Sequence, residues 1–105
     1  MALVEEFLQG NVRRYTATFK VPDDDGTLTD PSTVTFYRRQ LLGVHDLETY
    51  VYETDDEVVR DSLGVFHIDL EYPTNGRYGV GVKGTGTCAA YAELEVRVQN
   101  AKVIV

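Results

Sequence analysis

The residues of this chain that could do chemistry are few, and the densest group of them is acidic. The segment "DDDGTLTD", residues 23–30, offers the oxygen ligands that calcium prefers. An EF-hand loop needs acidic residues at its first, third and fifth positions, glycine at the sixth and glutamate at the twelfth. With Gly26 at the sixth position, Val21 occupies the first and Ser32 the twelfth, so the loop does not match. We expect a solvated turn, and an irregular calcium site stays open as the alternative.

The two histidines and the single cysteine lack the spacing of a metal site or a catalytic pair. His45, His67 and Cys88 are far apart in the sequence and match no zinc signature. A cysteine–histidine nucleophile would also lack an evident orienting group. We expect His67 on the solvent face of its strand and Cys88 as an idle thiol. The sequence therefore predicts no enzyme, no cofactor, and no metal site apart from the calcium alternative at residues 23–30.

Glycines recur in "GVGVKGTG", residues 79–86, and two arginines follow a tyrosine in "YRR", residues 37–39. A phosphate-binding loop must lead from a strand into a helix, and no helical period follows here. The first two glycines would instead leave one strand face bare for a close neighbour. Tyrosine and arginine are enriched in protein interfaces. The predicted partner contacts are therefore Tyr37, Arg38, Arg39, Gly79 and Gly81, with Phe7 and Leu8 from the N-terminal segment.

The elements that would position these residues are short strands with alternating inward and outward side chains. The clearest is "VFHIDLEY", residues 65–72, and others are predicted at 12–21, 33–40, 47–53, 58–60, 78–82 and 90–98. Their predicted inward residues are Tyr15, Ala17, Phe19, Val21, Val34, Phe36, Tyr50, Tyr52, Phe66, Ile68, Leu70, Tyr72, Tyr78, Val80, Val82, Leu94, Val96 and Val98, with Val51 as the rival to Tyr50 and Tyr52. One-sided alternation is typical of antiparallel sheets, and two of these packed face to face make a β-sandwich.

The turn before residue 78 carries two conflicting signals. Asn75-Gly76 favours a tight hairpin within one sheet, whereas Pro73 removes a hydrogen-bond donor where pairing would begin. We predict an arch from one sheet to the other, with Gly76 and Tyr78 forming the tyrosine corner of immunoglobulin-like sandwiches. Val80 then stands where antibody domains have their second core cysteine. The expected fold is an all-β, immunoglobulin-like sandwich of two antiparallel sheets with six to seven strands, without the core disulfide or tryptophan.

Length and charge limit the remaining possibilities. The 105 residues suit one domain, which we place at residues 11–105, after an N-terminal arm at residues 1–10. The arm "MALVEEFLQG" is expected to form a helical turn or to order on a partner, and it lacks the features of a signal peptide. The net charge of −7 argues against binding to nucleic acid or to an anionic membrane. No apolar run approaches the ~18 residues that span a bilayer.

Several phrases together resemble the small immunoglobulin-like virion proteins of tailed bacteriophages, the head-decoration, neck and tail-accessory type. These phrases are "GNVRRYTATF", "DGTLTDPSTVTFY", "VVRDSLGVFHIDL", "GRYGVGVKGTG" and "AAYAELEVRV", and they cover most of residues 10–98 in order. The segment "RRQLLGVHDLETYVYE" departs from the pattern, because it lacks a Pro-Asp-Gly hairpin. This resemblance implies no catalytic residues.

The resemblance implies a noncatalytic structural protein of the phage particle. Its expected partners are other virion proteins of the capsid, neck or tail, it would be present in multiple copies, and it would be synthesised in the host cytoplasm and located in the virion. The alternative is a carbohydrate- or host-surface-binding module displayed on the particle. In that case exposed tyrosines such as Tyr37 and Tyr91 would stack on sugar rings.

Overall fold

The structure is a computed structural model that describes residues 3–8, 10–21, 27–41, 43–86 and 89–99, with only the backbone described for residues 3–8. The strands of this described part are β1 (Leu3–Leu8), β2 (Val12–Thr18), β3 (Val34–Gln40), β4 (Glu48–Val51), β5 (Val58–Ser62), β6 (Val65–Glu71), β7 (Gly76–Gly84) and β8 (Ala90–Gln99). No helix long and apolar enough to cross a membrane occurs among these residues.

The strands form two sheets, of which the larger has the order β1-β8-β7-β3-β4 and the smaller the order β2-β6-β5. When the strands from β2 to β8 are lettered B, C, C′, D, E, F and G, these orders become G-F-C-C′ and B-E-D. They are the two sheets of an immunoglobulin-like sandwich. Every pairing among these strands is antiparallel. The predicted fold is therefore confirmed, and the predicted strands recur with bounds shifted by a few residues.

The core lies between the two sheets and follows the alternation predicted from the sequence. Its buried hydrophobic residues are Tyr15, Ala17, Phe19, Val34, Phe36, Val58, Phe66, Ile68, Leu70, Tyr72, Tyr78, Val80, Val96 and Val98. Tyr50, Tyr52, Val82 and Leu94 pack against this core while partly exposed, so the two tyrosines face inward and Val51 does not replace them. Edge-to-face contacts join Tyr52 to Phe66 and Tyr72 to Tyr78, with ring centroids 5.0 and 4.9 Å apart.

The connection from β6 to β7 is an arch between the sheets, as predicted, because β6 lies in the smaller sheet and β7 in the larger. The Tyr78 hydroxyl donates a hydrogen bond to the carbonyl oxygen of Thr74 at 3.0 Å, which is the tyrosine-corner geometry. Gly76 has a φ of 146°, and a Cβ there would lie 2.9 Å from Nε2 of Gln40. Glycine is needed at this position because of this φ, whereas the Gln40 amide is the end of a flexible side chain that can move aside.

The N-terminal segment differs from the expectation of a helical turn or a free arm. Leu3–Leu8 form β1, which pairs in parallel with β8 from Leu94 to Gln99, so the larger sheet is mixed. An edge strand with unpaired backbone groups is a ready template for pairing, and the β8 edge recruits this segment. Alternation in "LVEEFL" is too weak to predict a strand from the sequence.

Candidate functional site

The outer face of the larger sheet brings together residues that are distant in the sequence. On β3 and β7, Tyr37 is paired with Gly81 and Arg39 with Gly79. On β7 and β8, Lys83 is paired with Tyr91. Residues two apart on a strand share a face, so all of these side chains and glycines lie on the side away from the core.

A shallow depression lies in this face, with a volume of about 420 Å³. Tyr37, Arg39, Leu47, Lys83 and Tyr91 line it, and we call it the outer-face depression. Tyr91 is 59% exposed, which is unusual for a large aromatic residue in a sandwich whose other described tyrosines are mostly in the core. The depression therefore combines aromatic, aliphatic and cationic side chains that are reachable from solvent.

The glycines of β7 form the floor beside this depression, and the chain's own side chains cover them. A Cβ on Gly81 would lie 3.0 Å from the Tyr91 hydroxyl, and a Cβ on Gly79 would lie 3.4 Å from Cδ2 of Leu41. The expected close neighbour of the bare strand face is thus intramolecular. Gly81 is buried and leaves room for the hydroxyl end of the Tyr91 side chain, rather than touching a partner directly.

Charge is distributed unevenly over this face. Most described arginines are in ion pairs, such as Arg77 with Glu95 at 2.9 Å and Arg14 with Asp69 at 2.8 Å. Arg39 and Lys83 have no ion-pair partner in the part of the chain that the structure describes. The Tyr91 hydroxyl donates to Oε2 of Glu93 at 2.8 Å, and this hydrogen bond, together with burial, raises the pKa of Tyr91. The lining of the depression therefore has two cations and no carboxylate, with Glu93 beside it at the Tyr91 end, on a chain whose net charge is −7.

Arg38 corrects the prediction that the whole "YRR" segment is a contact surface. Its side chain is only 13% exposed and lies on the inner side of β3, opposite its two neighbours. Its Nε and Nη2 donate to the two carboxylate oxygens of Glu48 at 2.8 Å, and its Nη1 donates to the carbonyl oxygen of Glu71 at 2.9 Å. The guanidinium carbon lies 4.9 Å from the centre of the Tyr72 ring. Arg38 closes one end of the core, and the period of two along a strand is the reason.

The Arg38–Glu48 ion pair shifts the pKa values of both its members and of the neighbouring Tyr50. Hydrogen bonding to Arg38 lowers the pKa of Glu48, and burial opposes this only in part. Burial works against the charge on Arg38, but the Glu48 carboxylate outweighs it and raises the pKa of Arg38. Burial and the same carboxylate raise the pKa of Tyr50, whose hydroxyl donates to Oε1 of Glu48 at 2.9 Å. All three groups are held in their ordinary charge states at neutral pH, which suits structure rather than proton transfer.

The other residues singled out from the sequence occupy a range of places. Phe66, Ile68 and Val80 are buried between the sheets. Phe7 and Leu8 belong by their backbone to β1, and their side chains lie outside the described part. Cys88 and the aspartates at 23–25 also lie outside the described residues. Asp30, at the end of the acidic loop, lies within the described residues. It accepts a hydrogen bond from the Gly64 amide at 2.7 Å and forms an ion pair with Arg60.

His67 differs from its prediction as a surface histidine. It does face away from the core, yet it is only 7% exposed, because β6 is the central strand of the smaller sheet. Its Nδ1 lies 2.8 Å from both carboxylate oxygens of Asp61 on β5. Among the described residues no three histidine, cysteine or acidic side chains are grouped so that they could hold a metal ion.

Sequence reasoning missed a cleft between the open edges of β2 and β8. Its volume is about 600 Å³, and its lining includes Tyr15, Val80 and Ala92. β1 covers β8 only from Leu94 onward, so this cleft continues the line of β1 toward the start of β8. The available signal is the small-residue pair Ala90 and Ala92, which face inward and leave the space between the sheets unfilled.

No protein-family model matches the chain, and no curated protein matches it. Among solved structures it is similar to the ZIG-8 IG1 homodimer, with 10% identity, a TM-score of 0.43, and coverage of 95% of this chain and 81% of that one. It is also similar to a parallel homodimer of the extracellular domain of the voltage-gated sodium channel β4 subunit, with 14% identity, a TM-score of 0.46, and coverage of 95% and 92%.

A third similar structure comes from photo-crosslinking work on multimeric cell-adhesive interactions of sodium channel β subunits. The identity is 14% and the TM-score 0.44, with coverage of 93% of this chain and 92% of that one. Because all three TM-scores are below 0.5, the fold assignment rests on the strand order and the core, and nothing about binding follows from these likenesses.

Proposed function

We propose that this chain is a noncatalytic structural protein of a tailed-phage particle, which binds other virion proteins through the outer-face depression. The place in a phage particle comes from the resemblance of its sequence phrases to small virion proteins. The use of this surface comes from its geometry. In this proposal the chain is made in the host cytoplasm, needs no cofactor, and is present in the virion in multiple copies.

The observation that carries the proposal is the convergence of Tyr37, Arg39, Lys83 and Tyr91 on one exposed sheet face. Tyrosine and arginine are over-represented where proteins meet, because each offers a large contact area with a polar end. β3 and β7 are each held by two neighbouring strands, so Tyr37, Arg39 and Lys83 are presented by a rigid support. Rigid presentation lowers the conformational entropy that is lost on binding.

Mass spectrometry of purified, washed particles of the encoding phage tests the proposal. We expect the chain at a fixed ratio to the major capsid or tail protein, and its absence from washed particles would refute a structural role. Particles complemented with Arg39→Glu should carry less of the chain. Lys20→Glu is the matched control, because Lys20 is exposed and has no described ion-pair partner. Equal incorporation of both variants would show that the outer-face depression is not the contact.

The second candidate is a carbohydrate-binding module displayed on the particle, and the half-buried Tyr37 and the exposed Tyr91, which line the same depression, favour it. Aromatic rings at the side of a depression provide apolar faces with polar edges, which suits sugar rings. A glycan array separates the two candidates. Binding that is lost in Tyr91→Ala and kept in Leu63→Ala would support the carbohydrate function. An array without signal would exclude it for the sugars displayed.

A further inference from the structure

Two separate surfaces of the described chain each carry more than one exposed charge without an ion-pair partner. One is the outer-face depression, with Arg39 and Lys83. The other is the turn between β4 and β5, residues 52–57, which we call the acidic turn. In the acidic turn Glu53, Asp56 and Glu57 are exposed and form no ion pair within the described part of the chain. Two complementary surfaces therefore stay unmatched within one molecule.

The acidic turn is held in a fixed shape by its own hydrogen bonds. The amides of Thr54 and Asp55 donate to the carbonyl oxygen of Val51 at 3.1 and 2.8 Å, and the Val51 amide donates to Oδ2 of Asp55 at 2.8 Å. The Tyr52 amide donates to the carbonyl oxygen of Val34 at 2.9 Å, which fixes the turn to β3. A preorganised turn loses little conformational entropy when it binds.

The backbone of the acidic turn also contains an unfavourable conformation. Glu53 has a φ of 72°, and it is the only non-glycine residue with positive φ in the described chain. A side chain at this φ costs free energy that glycine would avoid. The strain places a carboxylate at the tip of the turn.

We propose that the acidic turn of one copy of this chain binds in the outer-face depression of a second copy. Glu53 and Asp56 would pair with Arg39 and Lys83, and Tyr37, Leu47 and Tyr91 would provide the apolar part of the contact. This inference deepens the proposed function, on which its biological setting rests, by naming a second copy as one virion partner. It supplies a physical basis for the presence of multiple copies.

The two surfaces are different, so the contact is head-to-tail and each bound copy keeps one free turn and one free depression. Such a heterologous contact makes a ring if its rotation closes and a filament if it does not. Each copy has a net charge of −7, which opposes association at long range. At physiological ionic strength charges are screened beyond about 8 Å, so the opposite charges in direct contact decide the outcome.

Sedimentation of the purified full-length chain tests this inference, over concentrations up to about 1 mM, where even weak pairs form. We expect association that weakens as salt is raised. Two doubly substituted, charge-reversed variants are compared with wild type. One carries Arg39→Glu together with Lys83→Glu in the depression, and the other carries Glu53→Lys together with Asp56→Lys in the acidic turn. Each alone should raise the dissociation constant by about tenfold or more, because like charges then face each other. Circular dichroism and melting temperature show whether each variant is folded.

The decisive measurement is a mixture of the two reversed variants. A lysine-bearing turn then meets a glutamate-bearing depression, so the mixture should associate about as well as wild type, whereas Lys20→Glu should change nothing. No association of wild type, or a mixture no better than its components, would overturn the inference. If Arg39→Glu reduces incorporation into particles without self-association, the proposed function stands and this inference fails. If the chain self-associates as expected but is absent from washed particles, this inference stands and the proposed function fails.

Discussion

Arg38 and Arg39 are neighbours on β3 and occupy opposite environments. Arg38 is 13% exposed, makes a two-pronged ion pair with Glu48 and lies over the Tyr72 ring. Arg39 is exposed, has no ion-pair partner among the described residues, and lines the outer-face depression. A buried cation without partners would be very costly, so its surroundings supply them. An exposed cation is solvated, and it stays available to another molecule.

The difference teaches that residue type alone does not distinguish a structural residue from a contact residue on a strand. The side chain's position in the two-residue repeat decides which sheet face it joins. Substitutions at the Arg38 end of the core should therefore change the stability of the fold. Substitutions in the outer-face depression should instead change binding to a partner. Each prediction below tests one side of that contrast.

The largest effect is expected at the tyrosine corner. Tyr78→Ala should lower the free energy of unfolding by about 3–5 kcal/mol, because a large buried ring is lost. Tyr78→Phe keeps the ring and removes only the hydrogen bond to Thr74, so it should cost about 1 kcal/mol. Urea denaturation of both variants measures these values. An alanine variant as stable as wild type would contradict the role of this corner.

The second prediction compares the two arginines directly. Arg38→Met should destabilise the fold by about 1.5–3 kcal/mol, because Glu48 and the Glu71 carbonyl lose charged hydrogen bonds. Arg39→Met should change stability by no more than about 0.5 kcal/mol, as for most surface substitutions. Thermal and urea unfolding of the two variants give the comparison. Equal destabilisation by both would remove the distinction between the two faces.

Glycines of β7 provide a third test with matched alanine substitutions. A Cβ at Gly84 would lie 2.5 Å from Cε1 of the buried Phe19 ring, so Gly84→Ala should cost about 1–3 kcal/mol through overpacking. At Gly79 the nearest atom is Cδ2 of Leu41 at 3.4 Å, which is an ordinary contact. Gly79→Ala should therefore fall within about 0.5 kcal/mol of wild type. The melting temperatures of the pair decide this, and a reversed order would contradict the assigned packing.

The smallest effect is the dependence of stability on pH. The folded pKa of Glu48 is lowered, mainly by its hydrogen bonds with Arg38, so the folded state binds fewer protons than the unfolded state near that pKa. The contribution is complete above the unfolded pKa and is lost as the pH falls through the folded one. Stability should drop as the pH falls below the ordinary pKa of a glutamate, and Glu48→Gln should flatten this decline. If the loss of stability at low pH is unchanged in that variant, other carboxylates cause it.

Most of the fold could be predicted because the sandwich depends on a pattern of period two. In the β6 segment Phe66, Ile68, Leu70 and Tyr72 alternate with polar residues, and all four are buried. Pro73 indicated the arch between the sheets against the hairpin signal of Asn75-Gly76, because proline lacks the amide that strand pairing would need. β1 was missed because parallel pairing with β8 depends on a distant edge, which leaves little trace in six residues of sequence.

The candidate site could be predicted only in part. Tyr37, Arg39, Gly79 and Gly81 were selected by residue type and then brought to one face by strand register. Lys83 and Leu47 complete the outer-face depression, and no local signal marks them. His67 is more buried than predicted, because the burial of an outward-facing residue depends on the side chains of both neighbouring strands.

By itself the sequence determined the composition of the core and the sheet face on which each residue of a strand would lie. Those properties follow from local alternation, because the hydrophobic effect favours burial of the strand face that carries the apolar side chains. Only the tertiary structure decided which strands are neighbours, and therefore that Arg38 meets Glu48 while Arg39 stays unpaired within the described chain. Strand order is set by contacts between distant segments, and it determines which charges are neutralised across strands and which remain available for a partner.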